Sequence, residues 1–369
     1  MSFRTFAILA ALLLATQSIF AANITAKDWG TTSKGEKVQL FTLKTGVRHG
    51  MVVEISNFGG VVVRLMAPGR EGVLRDVVLG YDSFPEYEKG GVYSALIGPY
   101  ANRLAQSFKL NGQTITQPAP ALRGGGRGGL ILHSGAIGFQ KRVWDAAMHD
   151  GREPSLELTI KDADGTGGLP GNVTVTVTYT VRRNNTLVID YRGITDKPTV
   201  LNLTNHFYFD LKGEGPGPVD NEIVTLYAHG YTADFFTDEV SRVDGTAFDF
   251  TKPARLGDRF AMLQGAPGFD TNMVIDGVAG QLRPAARIDD PDSGIVMVVF
   301  TTQPAFQFYT DNIANTVNGK KGHVYGNHNA ISIETEHYPD APSHPNFPST
   351  EVTPDKPLHE ITEYRFSSK

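Results

Sequence analysis

The sequence predicts an all-β protein built mainly from antiparallel strands, folded as a sandwich or a barrel. After the first 21 residues, nearly every periodic stretch alternates apolar and polar residues or is a short apolar run, as strands do. No long segment shows the 3.6-residue period of a helix, so the crossover helices of a parallel sheet are not expected. The 40 glycines and 21 prolines are spread along the 369 residues, which suits a fold with many turns.

The N-terminal 21 residues have the pattern of a secretion signal. Arg4 precedes the apolar run from Phe6 to Ala15, and the small residue Ala21 precedes the expected cleavage site. The apolar run is shorter than the ~20 residues needed to cross a bilayer. We therefore expect 1–21 to be a cleaved signal peptide. Residues 22–369 should form one domain, secreted or periplasmic, with no membrane attachment.

The strand candidates of this domain follow one another at short intervals. They occupy 51–56, 60–66, 155–160, 173–181, 187–192, 223–228, 295–301 and 362–366. The stretch 173–181 is the clearest, because valines and one tyrosine alternate there with four threonines. Short helical turns are expected only at 82–90 and 256–264.

Composition excludes several classes of function. The 34 Lys and Arg residues and 39 Asp and Glu residues give a formal charge of −5 with no basic run, so a nucleic-acid partner is not expected. There are no cysteines, which excludes disulfides and thiolate metal sites.

The Gly/Arg run 123–129 is expected to be a loop between strands. It does not fit a phosphate-binding loop, because no Gly-Lys-Ser/Thr follows it.

Two predicted strands carry the residues best suited to acid–base chemistry. Residues 201–211 have a largely apolar face and an opposite face made of Asn202, Thr204, His206, Tyr208 and Asp210. Residues 330–336 place Glu334 and Glu336 together on one face in the same way. A histidine on one rigid strand and a carboxylate on another can move two protons at once, which predicts an acid–base enzyme.

Further polar residues suited to ligand binding lie elsewhere in the chain. Asn102 and Arg103 follow a Gly-Pro turn, and His133 lies beside a tight turn. Asp270 follows a Gly-Phe pair, and Gln307 shares a strand face with Tyr309. Each of these residues alone is more often structural than functional. Together they supply donors, acceptors and aromatic rings suited to a neutral polyol.

The order of such segments along the chain is itself informative. It includes Asn57–Gly60, Leu79–Asp82, Tyr100–Arg103, Leu132-His133, Lys141–Trp144, Asn202–Phe209, Gly268–Asp270, Gln307–Tyr309, Glu334-Thr335 and Pro345–Ser349. This order resembles that of the aldose 1-epimerase (galactose mutarotase) family almost from end to end. The resemblance implies a large, mostly antiparallel β-sandwich of the galactose mutarotase type. It also implies His206 as general acid and Glu334 as general base, with sugar-binding positions at Asn102, Arg103, His133, Tyr208, Asp270 and Gln307.

The activity implied by this resemblance is interconversion of the anomers of a free hexose. A base takes the C1 hydroxyl proton while an acid protonates the ring oxygen, and the roles reverse when the ring closes. A carboxylate is the expected base and an imidazolium the expected acid near neutral pH. The carboxylate should then set the acid limb of the pH profile and the imidazolium the alkaline limb. Arg103 and His133 are expected to stabilise developing charge. No metal or organic cofactor is expected; a monosaccharide is the expected partner of a monomer or weak dimer.

The chain departs from the family pattern at positions expected near the sugar. Thr271 stands in place of a His, Ser134-Gly135 in place of Gly-Gly, Phe207 in place of a small residue and Glu336 in place of a Gln. The Gly/Arg run also precedes His133 in place of a more ordinary polar stretch. These departures concern the identity of the sugar and its affinity rather than the type of reaction.

Three alternatives stay open on the sequence. A noncatalytic carbohydrate-binding protein on the same fold would not need both His206 and Glu334. An epimerase for a phosphorylated or acidic sugar would need a basic cleft, and Arg103 has no obvious basic partner except Arg123 and Arg127. A metal site could draw on residues whose spacing follows no compact metal-binding motif, namely His323, His328, Glu334, Glu336, His337 and His344.

Overall fold

The computed structural model describes residues 22–118, 129–215, 217–232, 237–313 and 315–369. The predicted signal peptide and the Gly/Arg run up to residue 128 lie outside the described residues. Within them, 29 strands, numbered β1 to β29 in chain order, pair mostly antiparallel. The all-β prediction is confirmed.

Two large sheets provide layers of the fold. In the described chain the first has five strands in the order β1 to β5, with bounds Ala22–Thr31, Lys37–Thr45, Val52–Ser56, Val62–Pro68 and Leu74–Asp76. The second has nine described strands in the order β11-β12-β13-β14-β29-β23-β22-β17-β20. In that order their bounds are Asp145–His149, Ser155–Asp162, Val173–Arg182, Thr186–Thr195, Leu358–Ser368, Ile295–Thr301, Arg283–Asp289, Ile223–Leu226 and Ala254–Arg255.

A third sheet and several strand pairs carry most of the polar residues singled out above. The third sheet has five described strands in the order β19-β18-β21-β24-β27, with bounds Val240–Arg242, Gly230–Thr232, Asp270–Val274, Ala305–Tyr309 and Ser332–Glu336. The pairs near it are β6 (Ala95–Ile97) with β16 (Thr204–His206) and β7 (Arg103–Ala105) with β10 (Leu130–Leu132). Three more pairs are described, namely β8 (Ser107–Leu110) with β9 (Gln113–Thr116), β15 (Thr199–Val200) with β28 (Glu351–Val352), and β25 (Val317–Asn318) with β26 (Val324–Tyr325).

The main apolar core joins the three sheets. Leu65 from β4, Val177 from β13, Phe306 from β24 and Ile333 from β27 belong to one continuous cluster of buried side chains. Burying an aliphatic or aromatic side chain of this size contributes ~1.5–3 kcal/mol. The core therefore fixes the third sheet from behind and leaves its other face available for polar groups.

The period-two patterns predict the strands well. Each strand candidate overlaps an observed strand, and β13 alternates buried and half-buried residues over its whole length. The two expected helical turns are α1 (Phe84–Glu88) and α2 (Leu256–Phe260). In α1, Ser83 and Glu86 form a capping box that closes the first turn. Among the described helices, none has the length and apolar character required to cross a membrane.

Residues 201–211 do not form the continuous strand that their alternation indicates. Only Thr204–His206 is a strand, paired with β6, and Asn202 and Phe209 make isolated bridges to other segments. The apolar side of the segment packs into the main core as expected. Because the segment passes between several short partners, its polar side is enclosed as well.

Candidate active site

A cavity of about 310 Å³ opens beside the polar face of the third sheet. This volume is within the usual range of small-molecule sites. Val92, Leu132 and Tyr309 contribute to its walls. The cavity is also lined by all eight residues predicted to bind or transform a sugar, namely Asn102, Arg103, His133, His206, Tyr208, Asp270, Gln307 and Glu334. The structure thus brings these residues together, while the role of each stays a prediction.

The register of the third sheet aligns three of these side chains. Gln307 on β24 lies opposite Glu334 on β27. On the other side of β24, Asp270 lies opposite Tyr309. Since neighbouring positions across an antiparallel sheet point to the same face, the register alone places two carboxyl groups, an amide and a phenol on one wall.

His206 and Glu334 form the central pair of the cavity. His206 ends the short strand β16, whose pairing with β6 puts it opposite Ala95. Its Nε2 atom is 3.5 Å from Oε1 of Glu334. The ring of Tyr208 stacks on the imidazole, with the ring centres 4.8 Å apart and the planes 14° from parallel. The stacking and the strand pairing hold the imidazole facing the carboxyl group.

His133 approaches from a strained loop that follows β10. Its backbone N–H donates to the Asn102 carbonyl at 2.8 Å, and the Asn102 N–H donates back to Nδ1 of His133 at 3.1 Å. Asn102, His133 and Ser134 all have positive φ, at 57°, 48° and 57°. Such conformations are uncommon for non-glycine residues and cluster at functional sites. Because Nδ1 accepts a hydrogen bond, the neutral ring carries its hydrogen on Nε2 and is a donor there.

Four side chains close a ring of hydrogen bonds along one wall. Asn102 Nδ2 donates to Gln307 Oε1 at 3.1 Å, and Gln307 Nε2 donates to Asp270 Oδ1 at 2.5 Å. Arg103 completes the ring, with Nη2 3.4 Å from Asp270 Oδ2 and Nη1 donating to Asn102 Oδ1 at 2.8 Å. The ring fixes the orientation of each amide, so the wall is preorganised for hydroxyl groups.

Burial controls the protonation of the central pair. His206 is 5% exposed and Glu334 is 2% exposed. Burial lowers the pKa of His206 to about 3, so the ring is neutral at pH 7. Burial and the charge of Glu336 hold the pKa of Glu334 well above its usual range. The resting imidazole is therefore neutral at pH 7 rather than the imidazolium expected from the sequence, and neither residue lies on an exposed face.

His133, His206 and Glu334 are the residues to consider for a metal ion. Their ligand atoms all lie within 4.8 Å of one another. However, Nδ1 of His133 accepts the Asn102 N–H, so its Nε2 carries hydrogen and offers no lone pair. The cluster suits proton transfer and hydrogen bonding better than metal binding.

The metal site considered from the sequence does not assemble. His323 lies beside Glu214, His328 stacks on Phe260, and His344 lies beside Asp340. His337 pairs with Glu360 rather than with Glu334. These histidines belong to separate local interactions among the described residues.

Most of the departures from the family pattern lie away from the cavity wall. Phe207 is fully buried in the main core, and Thr271 is not a lining residue. Ser134 accepts the Tyr100 N–H at 2.8 Å and donates to the Tyr100 carbonyl, which ties the His133 loop to the segment before Asn102. Glu336 is the departure that touches the site, through Asn102.

Two buried carboxyl groups near the cavity were not predicted as site residues. Glu336 is fully buried, and burial raises its pKa to about 8. Asp311 is also fully buried, has φ of 51°, and has its pKa raised to about 7 by burial. The alternation of β27 indicated that Glu336 shares a face with Glu334. Nothing in the local sequence indicates the burial of Asp311.

Comparison with known proteins assigns the chain to a family. The family model of aldose 1-epimerases matches residues 39–365. The chain belongs to the aldose 1-epimerase family. As a member of that family it is an isomerase.

Relatives of this aldose 1-epimerase family member cover nearly the whole chain. Galactose mutarotase from Homo sapiens is 33% identical over 354 residues, which is 94% of this chain and 99% of the relative. Aldose 1-epimerase from Escherichia coli strain K12 is 31% identical over 343 residues, which is 90% of this chain and 96% of the relative.

Solved structures share the architecture. An aldose epimerase homologue from C. elegans superposes with a TM-score of 0.76 at 27% identity, covering 87% of this chain and 97% of that one. Galactose 1-epimerase from Lactobacillus acidophilus gives a TM-score of 0.78 at 21% identity, covering 94% and 99%; at this identity the likeness concerns the fold alone. The galactose mutarotase type of β-sandwich is confirmed.

Proposed function

We propose that the protein interconverts the α and β anomers of a free hexose of the glucose or galactose type. One observation carries the proposal. A neutral imidazole and a buried carboxyl group face each other across 3.5 Å in a cavity lined by amides and phenols. Anomer exchange needs two groups that trade protons with adjacent oxygens, and this pair fits that need.

The reaction balances with these two groups alone. Ionised Glu334 takes the C1 hydroxyl proton as the C1–O5 bond breaks, and protonated His206 gives its proton to O5. The products are the open-chain aldehyde, protonated Glu334 and neutral His206. After rotation about C1–C2, the C5 hydroxyl adds to C1, returning a proton to His206 while Glu334 protonates O1. The enzyme regains its starting state and the sugar is the other anomer.

The pair needs one proton in total throughout this cycle. Burial favours that proton on Glu334, because it lowers the pKa of His206 to about 3 and raises that of Glu334. Moving the proton to His206 generates the ion pair that opens the ring, and the two states differ by one transfer over 3.5 Å. Both states of the pair carry one proton in total. The pKa values that limit activity at low and high pH therefore describe the pair rather than either residue alone.

Other residues supply binding and charge stabilisation in this proposal. His133 donates from Nε2, and Arg103 adds a guanidinium fixed by Asn102 and Asp270. These donors are suited to oxygens that gain charge as the ring opens. Asp270 and Gln307 accept and donate to sugar hydroxyls from the preorganised wall.

The lining favours a neutral sugar over a phosphorylated or acidic one. Among the described residues that line the cavity, Arg103 is the only Lys or Arg, and it already contacts Asp270. The Asp270 carboxylate on the same wall would repel an added anionic group. Arg123 and Arg127, the other cations considered, lie outside the described residues.

Polarimetry of freshly dissolved α-D-glucose and α-D-galactose tests the proposal. The protein should accelerate the approach to the equilibrium rotation, also after treatment with a chelator. Sugar 6-phosphates should react more slowly. Binding of either hexose without acceleration would favour the noncatalytic carbohydrate-binding alternative, and activity lost in chelator and restored by a divalent metal would contradict the cofactor-free chemistry.

We further propose that the protein works outside the cytoplasm after removal of residues 1–21. The Arg4 and apolar-run pattern supports this. N-terminal sequencing of material from the native host should begin at Ala22. Soluble protein retaining Met1 would count against export.

A further inference from the structure

Glu336 is a buried carboxyl group that touches the cavity wall and has no part in the proton exchange. It lies two residues after Glu334 on β27. Its Oε1 accepts a hydrogen bond from Asn102 Nδ2 at 2.6 Å, while its Oε2 is buried with no hydrogen-bond partner among the described residues. Burying a carboxyl group with half of its acceptors unused is costly. The cost of burying Glu336 indicates that its carboxyl group has a function in the site.

The first consequence of this placement is the orientation of Asn102. One amide hydrogen of Asn102 goes to Gln307 and the other goes to Glu336, while its Oδ1 accepts from Arg103. Every polar atom of this amide therefore has a partner. Glu336 is not part of the hydrogen-bonded ring, but through its hydrogen bond with Asn102 it ties the ring to β27.

The second consequence concerns charge. Glu334 and Glu336 share one face of one strand and are both buried, so ionising either makes ionising the other harder. The other charged groups that act on them are Arg103, which favours ionisation, and Asp270, which opposes it. His206 faces Glu334 and is neutral at pH 7. The nearby phenols of Tyr100, Tyr208, Tyr309 and Tyr364 all have raised pKa values and stay neutral as well.

We propose that Glu336 is a positioning residue for the reaction: it holds the Asn102 amide in the cavity, and its charge sets how tightly Glu334 keeps its proton. The inference rests on the proposed function, in which Glu334 is the base. Burial raises the pKa of Glu336 to about 8, and its charge helps to hold that of Glu334 well above the usual range. Once Glu336 ionises, Glu334 retains the proton that the pair with His206 needs.

The variant Glu336→Gln separates the two roles. A glutamine oxygen can still accept from Asn102, but the charge is gone. Without that charge Glu334 should lose its proton more easily, so the alkaline limb of kcat/KM should move to lower pH by about one unit or more. KM at pH 7 should stay within about twofold, because the hydrogen bond is kept. An alkaline limb that overlays the wild-type one would overturn the charge role.

The variant Glu336→Ala removes both the charge and the contact. KM should then rise about three- to tenfold over that of Glu336→Gln, as expected for the loss of one hydrogen bond. Equal KM values in the two variants would overturn the positioning role. Should Glu336→Ala fail to fold by circular dichroism, Glu336→Asp, which shortens the carboxylate reach to Asn102, replaces it with the same expected rise in KM.

The matched control is Glu222→Gln. Glu222 is also a buried glutamate with a raised pKa, its Oε1 accepts the Leu211 N–H, and it does not line the cavity. Its replacement should leave the pH profile and KM unchanged. A shift of the alkaline limb equal to that of Glu336→Gln would show a general effect of removing buried charge and would overturn the proposal.

A second readout separates this proposal from the proposed function. Titration of ¹³C-labelled glutamate carboxyl groups by NMR, with the Glu334 signal assigned through Glu334→Gln, gives the pKa of Glu334 without turnover. It should be lower in Glu336→Gln than in the wild type by about one unit or more. If the wild type does not accelerate mutarotation, the proposed function is wrong, while the titration still decides whether Glu336 controls the proton of Glu334.

Discussion

At the scale of single residues, the site depends on taking two ionisable groups out of water. His206 and Glu334 are ordinary in chemistry, but burial favours the uncharged form of each side chain at neutral pH. Burial disfavours the charged form of each group, and Nε2 of His206 lies 3.5 Å from Oε1 of Glu334. The pair therefore behaves as one unit that holds one proton.

Removing either member of the pair should abolish most of the turnover. Glu334→Gln and His206→Asn each remove a group that we propose acts in the transition state, so kcat should fall at least about a hundredfold while KM changes little. Polarimetric rates across sugar concentrations measure both constants. Circular dichroism and the melting temperature must first show that each variant folds, because both residues are buried. A folded Glu334→Gln that kept most of its turnover would make Glu334 the wrong base.

The pH dependence should follow this preference for the uncharged forms of His206 and Glu334. In the proposed mechanism activity requires one proton on the pair. It should therefore be lost near pH 3, where protonation of His206 gives the pair a second proton, and at high pH, where Glu334 releases the only one. The plot of kcat/KM against pH should therefore be flat around neutrality, with an acid limb close to pH 3. An acid limb near the ordinary pKa of histidine would show that the imidazole is not buried as described.

Sequence reasoning reaches the chemistry of these residues but not their ionisation. Histidine, carboxylate and amide groups on polar strand faces, together with the family resemblance, indicate which side chains to bring together. The pKa of His206 depends on burial by segments that are distant in the chain, including β6, β27 and the His133 loop. A local pattern carries no information about that enclosure.

At the scale of elements, strand β27 separates function and stability onto its two faces. Glu334 faces the cavity, while Ile333 is fully buried in the main core. The pairing of β27 with β24 keeps Gln307 opposite Glu334. A slip of one residue would exchange the two faces, so the core that holds Ile333 also protects the register of the site.

Changes at Ile333 should test this separation. Ile333→Val should lower the free energy of unfolding by ~0.5–1.5 kcal/mol and Ile333→Ala by ~2–5 kcal/mol, because each leaves a cavity in the core. Urea denaturation measures both effects. The kcat of Ile333→Val should remain near that of the wild type, since Glu334 keeps its strand partners. A hundredfold loss of kcat in that mild variant would show that the two faces are not separable.

Two segments show that alternation of apolar and polar residues does not by itself predict the length of a strand. The threonine-rich stretch forms β13 because it pairs with β14 along its full length and with β12 from Val173 to Thr180. Residues 201–211 alternate as well, yet only three of them form a strand, because β6 offers a short partner. Pairing depends on the partner strand, and the partner of β16 lies about a hundred residues away in sequence.

At the scale of the whole molecule, the fold carries several carboxyl groups that it keeps out of water. Burial raises the pKa of Asp210 and Asp311 to about 7 and that of Glu336 to about 8. Glu222 and Glu334 have pKa values well above the usual range for the same reason. In the unfolded chain these groups lose their protons near pH 4. The native state thus holds more protons than the unfolded state over most of the neutral range.

The free energy of unfolding should therefore fall as the pH rises from 4 to 8. Stability decreases with pH wherever the native state binds more protons than the unfolded state, which is the sign expected for acids whose native pKa is raised. Asp311 contributes to this decline between pH 3.8, the ordinary pKa of an aspartate, and its native pKa of about 7. Each unit of difference between the native and the unfolded pKa of one group corresponds to ~1.4 kcal/mol of stability. Melting temperatures measured at pH 4 to 8 should show the decline.

Asp311→Asn should remove the share of this decline that Asp311 causes. Asparagine has nearly the same shape, cannot ionise and tolerates the left-handed backbone at φ 51°. The variant should match the wild type near pH 4, where Asp311 is protonated, and melt at a higher temperature at pH 8, where ionisation costs the wild type. The control Asp258→Asn changes an exposed side chain that pairs with Arg255 on the surface, so its effect should be small at both pH values. Parallel loss of stability in Asp311→Asn and the wild type between pH 4 and 8 would show that Asp311 ionises freely in the native state, and its burial would then have to be reconsidered.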